Sequence, residues 1–407
     1  MGVLPMSAFL EPMGGTPNAT AMAARERFVK LEIAEEVRPM PKSDTAPPRA
    51  HVSSLDGLRA IAVLGVMYYH TRLPWFQFGW IGVDLFFVLS GFLITTLLVK
   101  ERKAKGKISL PKFWGRRFLR LMPAYWLFVG VCTILILRGV GAIDLSTGWS
   151  ARRYLLSLWL YFTNYAPGNV WTYQDISGPL WSLAVEEQFY FVWPFVCALT
   201  FRFTRRGWVV GWLLVAETAL CRYFAPNDFV LHTMLYTRGI GIIAGAAVAL
   251  SLAEGLPAWV ARGVRSAAVR VGLMAGSAVF VVVATWLTRH FEWEDDDLPH
   301  KIFVPIAAAL FPCVVVVLWY GPADWIARGL SWMPIAYVGR ISYGIYLYHA
   351  LFKWLVWDQY PGATADMSQA VKVGLRLAAY FGGTIGLATV SYYGVEKPFL
   401  RLKERLR

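Results

Sequence analysis

The 407-residue chain is 57% hydrophobic and only 16% charged, with a mean hydropathy of +0.46, whereas a soluble domain carries about a quarter charged residues. That excludes an ordinary soluble enzyme and predicts an all-α polytopic membrane protein. The net charge of +14 does not signal nucleic acid, because the basic residues flank apolar segments as cytoplasmic loops do.

In chain order, residues 1–53 mix a short helical pattern, AMAARERFVKLEIAEEV, with a Pro-rich linker, RPMPKSDTAPPRA. No basic run leads into an apolar core with a cleavage site, so the expectation is a loosely ordered cytoplasmic tail and not a signal peptide. Ten apolar segments follow, at 57–74, 79–99, 121–138, 179–201, 207–224, 234–253, 269–287, 302–320, 334–357 and 372–394, each read as a span. An eleventh piece, YLLSLWLYFTN at 154–164, is too short to cross. The expected organisation is the tail 1–53, a transmembrane domain 54–396 and a basic cytoplasmic tail 397–407. Cys132, Cys197, Cys221 and Cys313 sit in apolar stretches without ligand spacing, so neither a disulfide framework nor a metal site is expected.

Charge asymmetry sets the orientation. With KERKAKGKISLPKFWGRRFLR (100–120) inside and 154–164 re-entrant or interfacial, RFTRR (202–206), the arginines at 262, 265 and 270 and the tail RLKERLR all fall inside. The acidic loops FEWEDDD and DQYPGATAD then fall outside. The prediction is therefore ten spans and one short re-entrant or interfacial segment, in the cell (inner) membrane, with both termini cytoplasmic.

Ionisable side chains inside an apolar segment are expensive and point to function. Arg59 and His70, eleven residues apart, share one face of a helix about 16 Å apart along its axis. The assigned topology puts His70, Asp84, Glu186, Glu187 and His349 in one layer of the outer half. It puts Arg59, Arg116, Arg117, Arg120 and Arg340 toward the cytoplasm. Arginines suit phosphate, which they grip bidentately. A deeper histidine suits general-base work on a hydroxyl, with Asp84 or Glu186 orienting the ring. A carrier with anchored phosphates and a long thin arm, as in acyl-CoA, matches that layering. His349, Tyr346, Trp181 and Glu187 are candidates for contact with the acceptor. Each also has a plainer role: Arg59 can pair with Asp56 at i, i+3, Arg116, Arg117 and Arg120 can be a basic flank, and Asp84 can partner an arginine.

Five motifs in order carry a resemblance: LDGLRAIAVLGVMYYH, GVDLFFVLSGFLI, FWGRRFLRLMPAYW, SGPLWSLAVEEQFY and ISYGIYLYH. From about Leu55 onward the chain resembles the membrane acyltransferase-3 family, which acylates carbohydrates and other hydroxyl-bearing acceptors. The resemblance implies a ten-helix core, an acyl-CoA donor (acetyl-CoA) entering from the cytoplasm, and no metal. It also implies His70 as catalytic histidine, Arg59, Arg117 and Arg120 as donor-side arginines, and Glu186 as the preferred carboxylate. Ending at Arg407, the chain resembles the stand-alone members. The predicted function is O-acylation of a carbohydrate or glycosylated acceptor among membrane lipids, with no nucleic-acid partner. The competing class is a proton-coupled transporter using His70 and Glu186 as a relay.

Overall fold

The computed structural model describes residues 52–71, 73, 76–139, 150–166, 176–204, 206–253, 255–290, 298–359 and 368–404. Nearly all of the predicted N-terminal tail, the acidic loop 291–297 and residues 405–407 lie outside them. Among the described residues every regular element is helical. In chain order these are α1 (Ser53–His70), α2 (Gly82–Lys105), α3 (Leu110–Leu137), α4 (Ala151–Trp159), α5 (Leu180–Phe203), α6 (Gly207–Tyr223), α7 (Asp228–Thr233), α8 (Leu235–Arg238) and α9 (Ile240–Ser251). They continue with α10 (Ala258–Arg265), α11 (Ala267–His290), α12 (Leu298–Tyr320), α13 (Trp325–Leu330), α14 (Met333–Arg340), α15 (Ser342–Lys353), α16 (Gln369–Ser391) and α17 (Lys397–Glu404).

Helix makes up most of the described part of every predicted segment, yet only five stretches among the described residues are long and apolar enough to cross a bilayer. These are Gln77–Lys105, Leu110–Leu137, Ala267–His290, His300–Tyr320 and Gln369–Leu402. The others fall short for local reasons. α1 has 18 residues and carries Asp56, Arg59 and His70, while α5 carries Glu186, Glu187 and Gln188. The chain breaks between α8 and α9 at Gly239 and between α14 and α15 at Ile341. α4 has nine residues, about 14 Å at 1.5 Å per residue, under half of a hydrocarbon core. On α11, Val279, Val282, Val283 and Trp286 are exposed, the composition of a lipid-facing surface.

The most consequential boundary difference is at α3. The sequence reading starts its span at 121, but the helix begins at Leu110, with Pro111 in its first turn, where a missing N–H is tolerated. The arginines at 116, 117 and 120 therefore ride on the helix rather than in a loop. Around the axis Arg120 lies between the other two, about 60° from Arg117 and about 40° from Arg116, so helical phase alone does not set Arg116 apart.

α2 is the spine. Its Val83 and Phe87 share one core cluster with Val63 and Met67 of α1, Phe128 of α3 and Ile345 of α15. A second cluster joins it to Ala244 of α9 and Phe311 of α12. Its approach to α9 is close enough to require glycine: a Cβ at Gly91 would lie 1.8 Å from the Ile242 carbonyl oxygen, and one at Gly245 would lie 2.2 Å from that of Val88. Small residues at such a crossing let two backbones touch, the usual way apolar helices associate where lipid competes for packing. α2 ends at Gly106, whose φ of 71° closes the helix behind Arg102, Lys103 and Lys105.

Candidate functional site

A cavity of about 260 Å³ runs beside α2, lined from Val83 to Lys100, a run of about 25 Å along the helix axis. A small volume over that length makes a narrow channel. Four helices deliver cations to it: Arg59 from α1, Lys100 from α2, Arg117 and Arg120 from α3, and Arg340 from α14. Arg59 and Arg117 both lie within electrostatic reach of Arg120 and of Glu186. Arg59 also makes the 3.2 Å pair with Asp56, so the i, i+3 partnership and the channel position coexist. The Arg117 guanidinium stacks 5.0 Å from the Tyr190 ring, holding its delocalised charge against an aromatic face. Arg116 takes the other direction and pairs with Glu101 at 3.0 Å. Of the four arginines expected to hold a donor, three face the channel and Arg116 does not.

Glu186 projects into the same channel. Its Oε1 accepts from the Ser90 hydroxyl of α2 and from Tyr190 one turn along α5. It thus shares the channel with the arginines and lies within electrostatic reach of Arg59, Arg117 and Tyr346. Adjacent Glu187 does not line the channel, since neighbouring helical residues point about 100° apart. It lies instead within reach of the Tyr161 and Tyr343 phenols.

Asp84 and Arg238, both buried, form a two-pronged ion pair, Nη2 to Oδ2 at 2.8 Å and Nη1 to Oδ1. Trp181 lies 5.7 Å and Phe87 5.8 Å from the guanidinium carbon. Of the two roles the sequence allows Asp84, orienter of His70 or partner of an arginine, the structure shows the second: each of its oxygens bonds Arg238. Trp181 accordingly belongs to that ion pair's surroundings and not to the channel wall.

Toward its deep end the channel meets Phe86, Ser182 and Tyr346. The Tyr346 hydroxyl donates to the Pro179 carbonyl at 3.2 Å and shares a 2.6 Å bond with Ser182 Oγ. One turn further along α15 stands His349, fully buried, with its ring centroid 5.3 Å from that of Tyr346. The His349 ring meets the His70 ring at 4.9 Å, edge to face. Each Nδ1 contacts a backbone carbonyl, Val66 at 2.8 Å for His70 and Tyr346 at 2.6 Å for His349. A carbonyl only accepts, so each Nδ1 carries the proton. In the neutral ring that leaves Nε2 with its lone pair, the form a general base needs.

Comparison with known proteins bears on this arrangement. A family model described as "Acyltransferase domain" (Acyl_transf_3) matches residues 52–393. The chain belongs to the acyltransferase-3 family. Every side chain described above falls within that acyltransferase match. The peptidoglycan O-acetyltransferase OatA of Listeria monocytogenes is 27% identical over 326 residues, 76% of this chain and 50% of the relative. The O-acetyltransferase OatA of Staphylococcus aureus (strain NCTC 8325) is 32% identical over 318 residues, 74% of this chain and 50% of the relative. A putative O-acetyltransferase of S. aureus (strain COL) is 30% identical over 372 residues, 86% of this chain and 57% of the relative. The chain thus spans about half the length of the curated relatives it matches. No solved structure matches it.

Sequence reasoning missed Lys100, Ser90, Tyr190 and Ser182, and it marks Arg238 as a buried charge without identifying it as the partner of Asp84. Tyr190 stands at i+4 from Glu186 and was legible as a same-face neighbour. Ser90 and Arg238 come from other helices, and only the packing of α2 against α5 and α8 reveals them.

Proposed function

We propose that this chain is an integral-membrane O-acyltransferase that moves an acyl group from a CoA thioester, entering from the cytoplasm, to a hydroxyl of a carbohydrate acceptor. The names of the relatives favour acetyl as the acyl group and a cell-wall glycan as the first acceptor to test. One observation carries the reading: cations from four helices converge on a narrow channel whose deep end lies one helical turn from a contacting histidine pair. Phosphates bind at Arg59, Arg117 and Arg120, with Arg340 and Lys100 adding field; the thin pantetheine arm follows the channel toward Tyr346. His70 takes the proton of the acceptor hydroxyl through Nε2 as the oxygen attacks the thioester carbonyl. The C–S bond breaks, and the proton passes to the departing CoA sulfur. In this reading the helices too short or too polar to qualify alone complete the ten spans, in the cell membrane, with both termini cytoplasmic.

The test is thermal stability of the purified protein in detergent with and without CoA. A ligand at about 100 times its Kd stabilises the folded state by about 2.7 kcal/mol, a readily measured upward shift. No shift with CoA or acetyl-CoA refutes the donor assignment and returns the field to an unrelated transporter.

A further inference from the structure

Ser90 and Lys100 both line the channel, ten residues or about 15 Å apart along the axis of α2. At the Ser90 level stand Glu186, Tyr190 and, stacked on Tyr190, Arg117, with Arg59 and Arg120 in electrostatic reach. Lys100 stands apart, toward the end of α2 that carries Arg102, Lys103 and Lys105. Its Nζ lies 5.3 Å from the ring centroid of Trp319 on α12, and it makes no hydrogen bond or ion pair among the described residues. The next residue, Glu101, is committed to Arg116. The indole is fixed edge to face against the fully buried Phe92 at 5.6 Å, and its attraction for the ammonium keeps that charge at the channel rather than out in water. Thr96, one turn before Lys100 on the same face of α2, adds a hydroxyl to the lining. Five cationic side chains against two carboxylates line the channel as a whole, an excess that suits a ligand charged in more than one place.

We propose that Lys100, steadied by Trp319, is a second anion subsite at the channel mouth and takes a phosphate monoester, the one on the ribose of the donor. The inference rests on the acyltransferase reading above and divides the donor's charge by position. The diphosphate, joined to the pantetheine arm, stays with the arginines deeper in. The ribose phosphate, on the side away from the arm, meets the Lys100 ammonium and the Thr96 hydroxyl nearer the mouth. Long lysine and arginine stems reach toward each other across the axial gap between the two groups. A phosphate monoester carries a charge of about −1.5 to −2 at neutral pH and accepts from both donors at once. Lys100 is then a binding residue that reads one phosphate, and Trp319 is a positioning residue that acts through it.

The experiment titrates CoA and dephospho-CoA, which lacks only the ribose phosphate, into the purified full chain in detergent. It compares the wild type with Lys100→Met, Trp319→Phe, Trp319→Leu and Arg117→Ala, with the Tm of each ligand-free variant as the check on folding. The wild type should bind CoA about 10-fold more tightly than dephospho-CoA, the worth of one charge-assisted contact. Lys100→Met should remove most of that ratio by weakening CoA more than dephospho-CoA. Arg117→Ala should weaken both ligands by the same factor and keep the ratio, because both carry the diphosphate. Trp319→Phe, which keeps a ring beside the ammonium, should keep most of the ratio, whereas Trp319→Leu should lose much of it. Equal affinities in the wild type, or a folded Lys100→Met that keeps the wild-type ratio, overturn the proposal; a folded Trp319→Leu that keeps it overturns the role of Trp319. If the wild type binds neither ligand, the acyltransferase reading itself has failed. If it binds both alike, only the role of Lys100 has failed.

Discussion

Replacing Asp84 with Leu separates a structural ion pair from a catalytic carboxylate. The Asp84 and Arg238 side chains are 0% and 3% exposed and joined by two charge-assisted bonds. Removing the carboxylate strands a buried guanidinium beside the Phe87 and Trp181 rings. Breaking one side of such a buried pair costs about 3–5 kcal/mol, a fall in Tm of about 4–6 °C for a chain of this length. Replacing both members, as Asp84→Leu with Arg238→Met, removes the stranded charge as well as the bond, and exchanging a buried pair for apolar residues of similar size is often near neutral. The double variant should therefore recover more than half of the lost Tm, read by intrinsic fluorescence in detergent, and its transfer activity should recover with it. A double variant no more stable than Asp84→Leu alone would refute the pairing. A double variant that regains stability but stays inactive would return Asp84 to the chemistry.

Arg117→Ala and Arg120→Ala should each weaken CoA binding by about 10–100-fold, the worth of one or two charge-assisted bonds to phosphate, measured by titration of the purified protein. Arg116→Ala, one residue away but paired with Glu101, should change CoA affinity by less than about threefold, because a partly exposed ion pair contributes little. Gly91→Val should abolish folded protein in detergent extracts, since its Cβ would meet the Ile242 carbonyl at 1.8 Å, while the same change at Gly272, with open space around it, should be tolerated.

The helical character, the positions of the apolar segments and the family were legible in the sequence, because hydropathy and motif order are properties of single segments. The grouping of Arg59, Arg117 and Arg120 was legible too: charge asymmetry placed them on one side, and the family resemblance singled out these three. Arg116 was not separable from them, because it leaves the group only through its pair with Glu101 of α2; α3 itself starts eleven residues earlier than hydropathy alone suggests because the amphipathic first turns dilute the apolar signal. Partner choice among buried groups was the least legible. Asp84 and Arg238 are 154 residues apart and His70 and His349 are 279 apart in the numbering; nothing local to either member specifies the pair. The single layer assumed for five ionisable residues resolves into four environments: the Asp84–Arg238 ion pair, Glu186 in the channel with the arginines, Glu187 beside the Tyr161 and Tyr343 phenols, and a histidine pair beyond the channel.

The most direct measurement is acetyl transfer by His70→Ala in membrane vesicles supplied with acetyl-CoA, with CoA-induced stabilisation recorded on the same purified variant. The account predicts that transfer falls by about 10²–10⁴-fold, as loss of a general base requires, while CoA still raises the Tm by the wild-type amount, because the phosphate site at Arg59, Arg117 and Arg120 is untouched. Wild-type-like transfer in His70→Ala, with the protein folded and CoA bound, would contradict it.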